Sequence, residues 1–278
     1  MQLNQIIRGN NIDILRDLLK SNTKFDLILT DPPYNVGKDF GNETDKQNDD
    51  DFAQFIVGRV NYAIWLLKEK GSIVWFCSHK YVDLMRYQFG NSVNYQRMLI
   101  WYYRNGLSRQ TNSPVTEYEP ILWFTKDAKE WTYNADDIRI PYRSQRVKNP
   151  VYKTNKKGEK VAWNPDPRGA KRGDVWEYPA LAGALYKNER TEHPTQKPLS
   201  LVTDLLKAFL PKNADGKYSG TVLDPFLGSG TTIVACAMLN KLGHDIKYIG
   251  IELEQKWVDV AHERLSALSD GIFDTIDQ

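Results

Sequence analysis

The chain contains a mostly apolar run of six residues that is followed, after one aspartate, by consecutive prolines, and this combination strongly restricts the local fold. The run, residues 25–30, is rich in branched side chains and is followed by Asp31-Pro32-Pro33-Tyr34. An apolar run closed by prolines is typical of a buried strand of a parallel sheet, because proline cannot donate a hydrogen bond to a neighbouring strand. The four residues are therefore predicted at the carboxyl end of a strand, where open α/β sheets bind ligands.

These four residues have the chemistry to hold a planar group that bears an amine. Asp31 offers a carboxylate that only accepts hydrogen bonds, Pro32 leaves a carbonyl beside it, and Tyr34 offers a flat ring. The two oxygens can accept both N–H hydrogens of an amine while the ring stacks on the attached plane. A nucleobase amino group fits this description, and a proline turn with a surface aspartate fits the same four residues equally well.

Apolar runs alternate with helical patterns over most of the chain. Strands are predicted at 5–8, 25–30, 72–77, 97–103, 119–125, 221–224 and 248–252, and helices at 11–19, 52–70, 79–89, 198–210, 231–239 and 254–268. Asn11 is predicted to cap the first helix and Gly71 to end the second. The alternation favours parallel βαβ units, with the strands at 97–103 and 119–125 as an antiparallel pair.

A second strand, at 221–224, leads into a glycine-rich turn and then a helix. Gly228 and Gly230 allow a ligand to approach the backbone, and the helix that starts near Thr231 presents N–H donors to a carboxylate. Glu252, at the end of the following strand, can accept both hydroxyls of a ribose. Because the turn is not G-x-G-x-x-G and has no P-loop lysine, the pattern disfavours a pyrophosphate and favours an adenosine that carries an amino acid.

The central region, residues 127–192, lacks clear periodicity and contains a strongly basic segment. The whole chain has a net charge of +2, but residues 139–172 contain eleven Lys or Arg and two acidic residues, so this segment is +9 and the remainder is −7. A basic segment with interleaved aromatic residues is typical of a nucleic-acid-binding surface, and a solvated surface insertion is the alternative. The candidate contacts are Arg139, Arg143, Arg146, Lys148, Trp163, Arg168, Lys171 and Arg172, with Trp176 as a further aromatic candidate.

Other features bear on the compartment and on bound metals. The amino terminus lacks a secretory pattern and no run of 18 apolar residues occurs, so a cytoplasmic protein without a membrane segment is predicted. Cys77 and Cys236 lie in apolar runs and are predicted to be reduced core thiols. The four histidines are scattered, so no metal site is expected. The acidic segment 37–51 is predicted to be a mobile lid or a disordered linker.

Three motifs in a fixed order give the chain a family resemblance. D-P-P-Y at 31–34, H-P-T-Q-K-P at 193–198 and D-P-F-L-G-S-G-T-T at 224–232 resemble the β class of S-adenosylmethionine-dependent DNA amino-methyltransferases. The resemblance implies an α/β fold with a Rossmann-like, mostly parallel sheet and helices on both faces. It divides the chain into a catalytic half at 1–126, a target-recognition insert at 127–192 and a cofactor-binding half at 193–278.

The resemblance also implies an activity: methyl transfer to the 6-amino group of adenine in double-stranded DNA, by base flipping and direct transfer. Asp31, Pro32, Pro33 and Tyr34 would hold the base. The cofactor would be surrounded by Asn10, Asp31, His193, Thr195, Lys197, Asp224, Phe226, Gly228, Ser229, Gly230, Thr231, Thr232 and Glu252. The alternatives are transfer to the 4-amino group of cytosine, a structured RNA substrate, or binding of nucleic acid and S-adenosylmethionine without turnover. A homodimer and a cognate restriction endonuclease are further expectations.

Overall fold

The computed structural model describes residues 2–38, 45–90, 92–104, 112–144 and 151–269, without the side chains of Val151, Trp163 and Ser269. A mixed sheet forms the centre of this part of the chain. The strands are β1 (Gln5–Arg8), β2 (Phe25–Thr30), β3 (Leu67–Phe76), β4 (Asn94–Tyr102), β5 (Tyr118–Thr125), β6 (Val151–Thr154), β7 (Lys160–Trp163), β8 (Val175–Glu177), β9 (Ser219–Asp224) and β10 (Asp245–Glu252). The helices are α1 (Asn11–Lys20), α2 (Asp49–Leu66), α3 (Val82–Phe89), α4 (Leu199–Phe209), α5 (Thr231–Lys241) and α6 (Gln255–Ser269).

The strand order of the main sheet is β1-β10-β9-β2-β3-β5-β4-β8. All neighbouring pairs are parallel except those of β5, which runs antiparallel to β3 and to β4. The parallel sheet and the antiparallel pair were both predicted, and the structure confirms them. Strand β2 of the amino-terminal half lies beside β9 of the carboxyl-terminal half, so the two halves of the chain meet at the centre of one sheet. From this junction the next strand of each half lies further out, β3 on one side and β10 on the other. Ligands of open α/β sheets bind where the strand order changes direction in this way.

Helices cover both faces of the sheet, as predicted. One core packs side chains such as Leu27 and Leu29 of β2 against α4 and α5. The other packs Phe25 and Ile28, which point to the opposite face, against α1, α2 and α3. Because β2 contributes buried residues to both cores, it reads as a continuous apolar run rather than an alternating one. Cys77 and Cys236 are buried free thiols, as predicted.

The boundaries of helices α1 and α2 differ from the predictions. Asn10, rather than Asn11, caps α1, since its side chain accepts a hydrogen bond from the Ile12 N–H. Helix α2 starts at Asp49 and ends at Leu66, and Gly71 lies inside β3 instead of ending the helix. A Cβ at Gly71 would lie 3.0 Å from the carbonyl oxygen of residue 26, so the glycine permits close approach of β3 to β2.

The region 127–192 is more regular than predicted. Strand β8 extends the main sheet beside β4, and Trp176 within it is fully buried at 0 % exposure. The suggestion that Trp176 contacts nucleic acid is therefore wrong, because its ring belongs to the core. Strands β6 and β7 form a separate two-stranded antiparallel ribbon. None of the helices in the described ranges is long and apolar enough to cross a membrane.

Candidate active site

The D-P-P-Y segment begins where β2 ends, at the edge formed by the carboxyl ends of the parallel strands. Thr30, the last residue of β2, donates a hydrogen bond from its hydroxyl to Asp224 Oδ1 at 2.7 Å. Asp224 is the last residue of β9 and the first of the glycine-rich turn. The predicted base-binding and cofactor-binding motifs are thus joined directly across two adjacent strands.

Four polar side chains meet at Asp31 in a cluster that we call the Asp31 cluster: Asp31, Tyr34, Glu119 and Lys197. The Lys197 ammonium lies 2.5 Å from Asp31 Oδ2 and 3.2 Å from Glu119 Oε2. The Tyr34 hydroxyl lies 2.6 Å from Asp31 Oδ1 and 2.8 Å from Glu119 Oε2. Lys197 is only 6 % exposed, so its charge is compensated by these carboxylates and not by water.

The protonation equilibria of the Asp31 cluster reflect burial and mutual charge. Burial raises the pKa of Asp31, the Lys197 ammonium opposes this rise, and the Glu119 carboxylate adds to it. Burial, followed by the Asp31 and Glu119 charges, raises the pKa of Tyr34 well above its ordinary value. Burial lowers the pKa of Lys197, but the two carboxylates outweigh this effect and raise it. The lysine is therefore a permanent cation beside the predicted base-binding carboxylate.

The glycine-rich turn at 224–232 is held by local hydrogen bonds. Asp224 accepts hydrogen bonds from the Phe226 N–H at 3.1 Å and from the Thr232 hydroxyl at 2.7 Å, and burial raises its pKa to about 6. Glu252, at the end of β10, accepts from the Gly228 N–H at 2.8 Å and from the Glu254 N–H at 2.9 Å. A carboxylate offers about four acceptor sites, so Glu252 retains capacity for ribose hydroxyls.

The H-P-T-Q-K-P loop is closed by two side chains. Gln196 accepts hydrogen bonds from the N–H and the hydroxyl of Thr191, and donates one to the Glu189 carbonyl. The Glu189 carboxylate accepts from the Leu199 N–H at the start of α4. His193 packs edge-on to Trp257, and burial, followed by the charges of Lys197 and Arg264, lowers its pKa to about 4. His193 is therefore neutral at physiological pH.

One cavity of about 1570 Å³ connects the three motifs. Of the predicted catalytic and cofactor residues, those that line it are Asn10, Asp31, Pro32, Pro33, Tyr34, His193, Thr195, Lys197, Asp224, Phe226, Gly228, Ser229, Thr231 and Glu252. Gly230 and Thr232 are not among its lining residues. Gly230 has a φ of +84° and packs against α6, where a Cβ would lie 2.6 Å from Ala261 Cβ. Gly230 and Thr232 therefore support the conformation of the turn from the side that faces away from the cavity.

Lys197 lines this cavity, and its ammonium lies among Asp31, Glu119 and the Thr195 carbonyl. Part of the segment predicted to be a mobile lid or a disordered linker is anchored to the D-P-P-Y turn. Asp45 is buried, and its carboxylate accepts hydrogen bonds from the N–H groups of Tyr34, Val36 and Lys38. The amino-terminal end of segment 37–51 is thus tied to the D-P-P-Y turn, and its last three residues belong to α2; residues 39–44 lie outside the described ranges.

Sequence reasoning missed two residues of this region. Glu119 lies at the start of β5, and an antiparallel neighbour of parallel strands begins at the edge where they end, so its position was a usable signal. Arg264 is buried on α6, where Nη1 donates to the Ser229 carbonyl at 2.7 Å and to the Thr231 hydroxyl at 3.0 Å. An arginine on the apolar face of a helix, at helical spacing from Trp257, Ala261 and Leu268, could have been noticed.

Some of the residues predicted to contact nucleic acid form ion pairs within the protein instead. Arg139 is paired with Asp136 and Asp166, with its side chain 10 % exposed, and Arg172 is paired with Asp204 with its side chain 11 % exposed. This corrects the prediction for both residues, because their charges are already neutralised. Arg168 is about half exposed and shares the same two aspartates as Arg139.

The other candidates from this list have different placements. Arg143 is 70 % exposed and lies 3.5 Å from Glu177, and Lys171 is exposed. Arg146, Lys148 and the side chain of Trp163 lie outside the described residues. The exposed lysines of the β6–β7 ribbon, which the prediction had left out of its candidate contacts, are Lys153, Lys156, Lys157 and Lys160.

Comparison with solved structures places the chain among methyltransferases. The M1.HpyAVI complex with S-adenosylmethionine matches with a TM-score of 0.63 and 25 % identity, covering 94 % of this chain and 98 % of that one. The cytosine-N4-specific PvuII DNA methyltransferase matches with a TM-score of 0.64 over 99 % of this chain and 92 % of that one. Its identity is 12 %, so this likeness shows the fold alone.

Sequence comparison identifies relatives that match nearly the whole of this chain. The type II methyltransferase M.HpaI of Haemophilus parainfluenzae is 33 % identical over 99 % of this chain and 77 % of its own length. The DNA adenine methyltransferase YhdJ of Escherichia coli is 28 % identical over 95 % of this chain and 83 % of its own. The DNA methylase family matches residues 25–263, which include all three motifs. The chain therefore belongs to this family, the S-adenosylmethionine-dependent DNA N4/N6 amino-methyltransferases.

Proposed function

We propose that this methyltransferase modifies the 6-amino group of adenine in double-stranded DNA, at a short specific sequence. The observation that carries the proposal is the position of Asp31 and Pro32 at the end of β2, joined to the cofactor turn by the 2.7 Å hydrogen bond from Thr30 to Asp224. A hydrogen-bond acceptor pair for an amine thus lies beside the turn that is expected to hold the cofactor.

The residues of the chain are proposed to activate the nucleophile, which is the amino nitrogen of adenine. S-adenosylmethionine supplies an electrophilic methyl group on a sulfonium when it is bound. The amino nitrogen of adenine is a weak nucleophile, because its lone pair is delocalised into the ring. If the Asp31 carboxylate and the Pro32 carbonyl accept its two N–H hydrogens, the nitrogen becomes more pyramidal and its lone pair is available for in-line attack. As the N–C bond forms, the bond between sulfur and the methyl carbon would break and its electron pair would stay on sulfur as a neutral thioether, while Asp31 would accept the proton lost from nitrogen.

The residues present fit S-adenosylmethionine. Glu252 would accept the ribose hydroxyls, and the first turn of α5 at Thr231 would bind the carboxylate. His193 is neutral, so it adds no positive charge near a sulfonium. The roles of Asn10, Thr195, Phe226 and Ser229 as further cofactor contacts belong to this proposal and are supported by their position on the same cavity wall.

The target base would have to leave the duplex, since its amino group is paired inside it. Tyr34 is proposed to stack on the flipped base, and its hydroxyl, whose single hydrogen is within reach of both Asp31 and Glu119, would fix the plane of the ring. Adenine rather than cytosine is supported by the D-P-P-Y sequence and by a relative that is itself named a DNA adenine methyltransferase. Cytosine methylation is the second candidate, because the family includes both kinds of enzyme.

DNA would contact the basic side of the inserted region. The β6–β7 ribbon is separate from the main sheet, and the four lysines on it are exposed. A two-stranded ribbon can enter the major groove, and lysines neutralise phosphates. Replacement of Lys156 and Lys157 by glutamine should reduce the salt dependence of DNA binding by about two counterions. An unchanged slope would remove the ribbon from the interface.

The activity is tested by incubating the purified protein with S-adenosylmethionine and plasmid from a methylation-deficient host, followed by digestion to nucleosides and mass spectrometry. Methylated adenine is expected. Methylated cytosine would retain the mechanism and change the base. If no methylated nucleoside forms while calorimetry shows cofactor binding, the chain would act on RNA or bind without turnover. The type II relatives also support a role beside a cognate restriction endonuclease, which digestion of methylated and unmethylated DNA by that enzyme would test.

A further inference from the structure

The Asp31 cluster contains more charge than the acceptance of one amine requires. Asp31 and Glu119 are two carboxylates on different strands, and one lysine contacts both of them. The ammonium is also surrounded by aromatic rings, with centroids 5.3 Å away for Tyr34, 5.3 Å for Phe76 and 5.8 Å for Trp101. Such a setting fixes the position of a cation, because the ring faces attract it and exclude water.

The hydrogen bonds of the cluster can be counted. Lys197 has three N–H hydrogens and three acceptors within reach: Asp31 Oδ2, Glu119 Oε2 and the Thr195 carbonyl, the last at 3.4 Å. Lys197 therefore occupies one acceptor site on Asp31 Oδ2, and the Tyr34 hydroxyl occupies one on Oδ1. Each carboxylate oxygen accepts about two hydrogen bonds, so one site on each oxygen is left for the target amine.

We propose that Lys197 and Glu119 are positioning residues of the methyl transfer: Lys197 keeps Asp31 ionised and oriented, and Glu119 holds Lys197 and the Tyr34 hydroxyl against Asp31. The inference rests on the proposed role of Asp31 as the acceptor of the target amine. A protonated Asp31 would lose the negative charge that stabilises the positive charge developing on the amino nitrogen. The nearby cation favours the ionised form, whereas the second carboxylate opposes it.

The two positioning residues should therefore act on Asp31 in opposite directions when they are removed. Lys197→Met takes away the cation, so Asp31 should become protonated at higher pH than in the wild type. Glu119→Gln takes away the competing carboxylate, so Asp31 should remain ionised to lower pH. The other titratable groups near the cluster are Cys77 after β3, Tyr103 after β4, Asp224 on β9 and His193 in the adjacent loop, and none of them is altered in these variants.

The experiment measures the titration of Asp31 directly. Cofactor-free protein labelled with ¹³C at the aspartate carboxyl carbons is titrated by NMR, with the Asp31 signal assigned by Asp31→Asn. We expect the midpoint to rise by at least about one pH unit in Lys197→Met and to fall in Glu119→Gln. In the double variant one positive and one negative charge are removed together, so the midpoint should return towards that of the wild type.

A second readout is the rate of single-turnover methyl transfer as a function of pH. For Lys197→Met we expect a loss that reaches about tenfold at pH values below both Asp31 midpoints, as a shift of about one unit requires, and that disappears at alkaline pH. The profile of Glu119→Gln should extend to more acid pH. Matched controls are Lys70→Met and Glu130→Gln, which remove the partners of an exposed Lys–Glu pair at 2.5 Å and should change neither readout.

Two results would overturn the inference. The first is an Asp31 midpoint that stays at the wild-type value in both single variants. The second is a rate that falls equally at every pH in both. If circular dichroism shows that Lys197→Met does not fold, the inference is still tested by the Asp31 midpoint, which should fall in Glu119→Gln and return towards the wild-type value in the double variant. Absence of methylation by the wild type would refute the proposed function alone, because the NMR titration does not depend on turnover.

Discussion

The glycine-rich turn at 224–232, which we propose to hold the cofactor and call the cofactor turn, lies on the same cavity as the Asp31 cluster, but the polar groups of the two regions are satisfied in different ways. In the cofactor turn, Asp224 binds the Phe226 N–H two residues away and the Thr232 hydroxyl eight residues away. In the Asp31 cluster, Lys197 is 166 residues from Asp31, and Glu119 is 85 residues from Tyr34. One half of the site is built mainly by local backbone geometry and the other by side chains that only the fold brings together.

This difference indicates how each half can fail. A change in the cofactor turn alters a backbone conformation, so it should affect folding or cofactor affinity. A change in the Asp31 cluster alters charge and hydrogen bonding around a carboxylate, so it should affect turnover and leave the cofactor bound. Four substitutions test this separation.

The largest effect is expected for Asp31→Ala. Removal of the carboxylate should lower the single-turnover rate by about a thousandfold, since an electrostatic contact to the reacting group is lost. Cofactor affinity measured by calorimetry should stay within about twofold of the wild type. A parallel loss of cofactor affinity would show that the two halves of the site are not separable.

Gly230→Ala should destabilise the fold by about 3 kcal/mol, measured by urea denaturation. The residue has a φ of +84°, and the added Cβ would lie 2.6 Å from Ala261 Cβ and 3.1 Å from its Cα. Gly216→Ala is the matched control, because Gly216 has a φ of +74° and nothing within 4 Å. Gly216→Ala should lower the free energy of unfolding by only about 1 kcal/mol, which is the cost of placing an alanine in the left-handed backbone conformation. Equal losses would remove the contact with α6 from the explanation.

His193 should make stability depend on pH. Burial lowers its pKa to about 4, so between pH 4 and 6.5 the unfolded chain binds a proton that the folded chain does not. Its contribution is therefore complete above pH 6.5 and is lost as the pH falls towards 4. Because the ring is only partly buried, we expect the difference between wild type and His193→Gln to shrink by about 2 kcal/mol between pH 7 and pH 4. A pH-independent difference would contradict this.

The smallest effect is expected for Glu252→Gln. The amide oxygen can keep one of the two N–H hydrogen bonds from Gly228 and Glu254, but the charge that would accept ribose hydroxyls is lost. Cofactor binding should weaken about tenfold, which corresponds to about 1.4 kcal/mol. The single-turnover rate at saturating cofactor should change little. A loss confined to this rate would place Glu252 in the chemistry of the base instead of in cofactor binding.

The inserted region shows the limits of counting charge. Its excess of basic residues is plain in the sequence, yet Arg139 and Arg172 are consumed by internal ion pairs. Of their partners, Asp166 was included in the sum over residues 139–172, but Asp136 and Asp204 lie outside that segment and were not. The exposed basic side chains of the region include Arg143, Lys171 and the four lysines of the β6–β7 ribbon.

The sequence by itself determined most of the sheet, its direction and the glycine-rich turn, because strand length, glycine and proline positions and apolar periodicity act over a few residues. It also predicted that Asp31 and Tyr34 lie at the ligand-binding edge, since the proline pair follows the end of β2. Only the tertiary structure decided that Lys197 and Glu119 lie at Asp31, that Arg264 holds the turn from α6, and that Trp176 belongs to the core. These contacts depend on which strands become neighbours and on which carboxylate a buried cation can reach, and no local pattern contains that information.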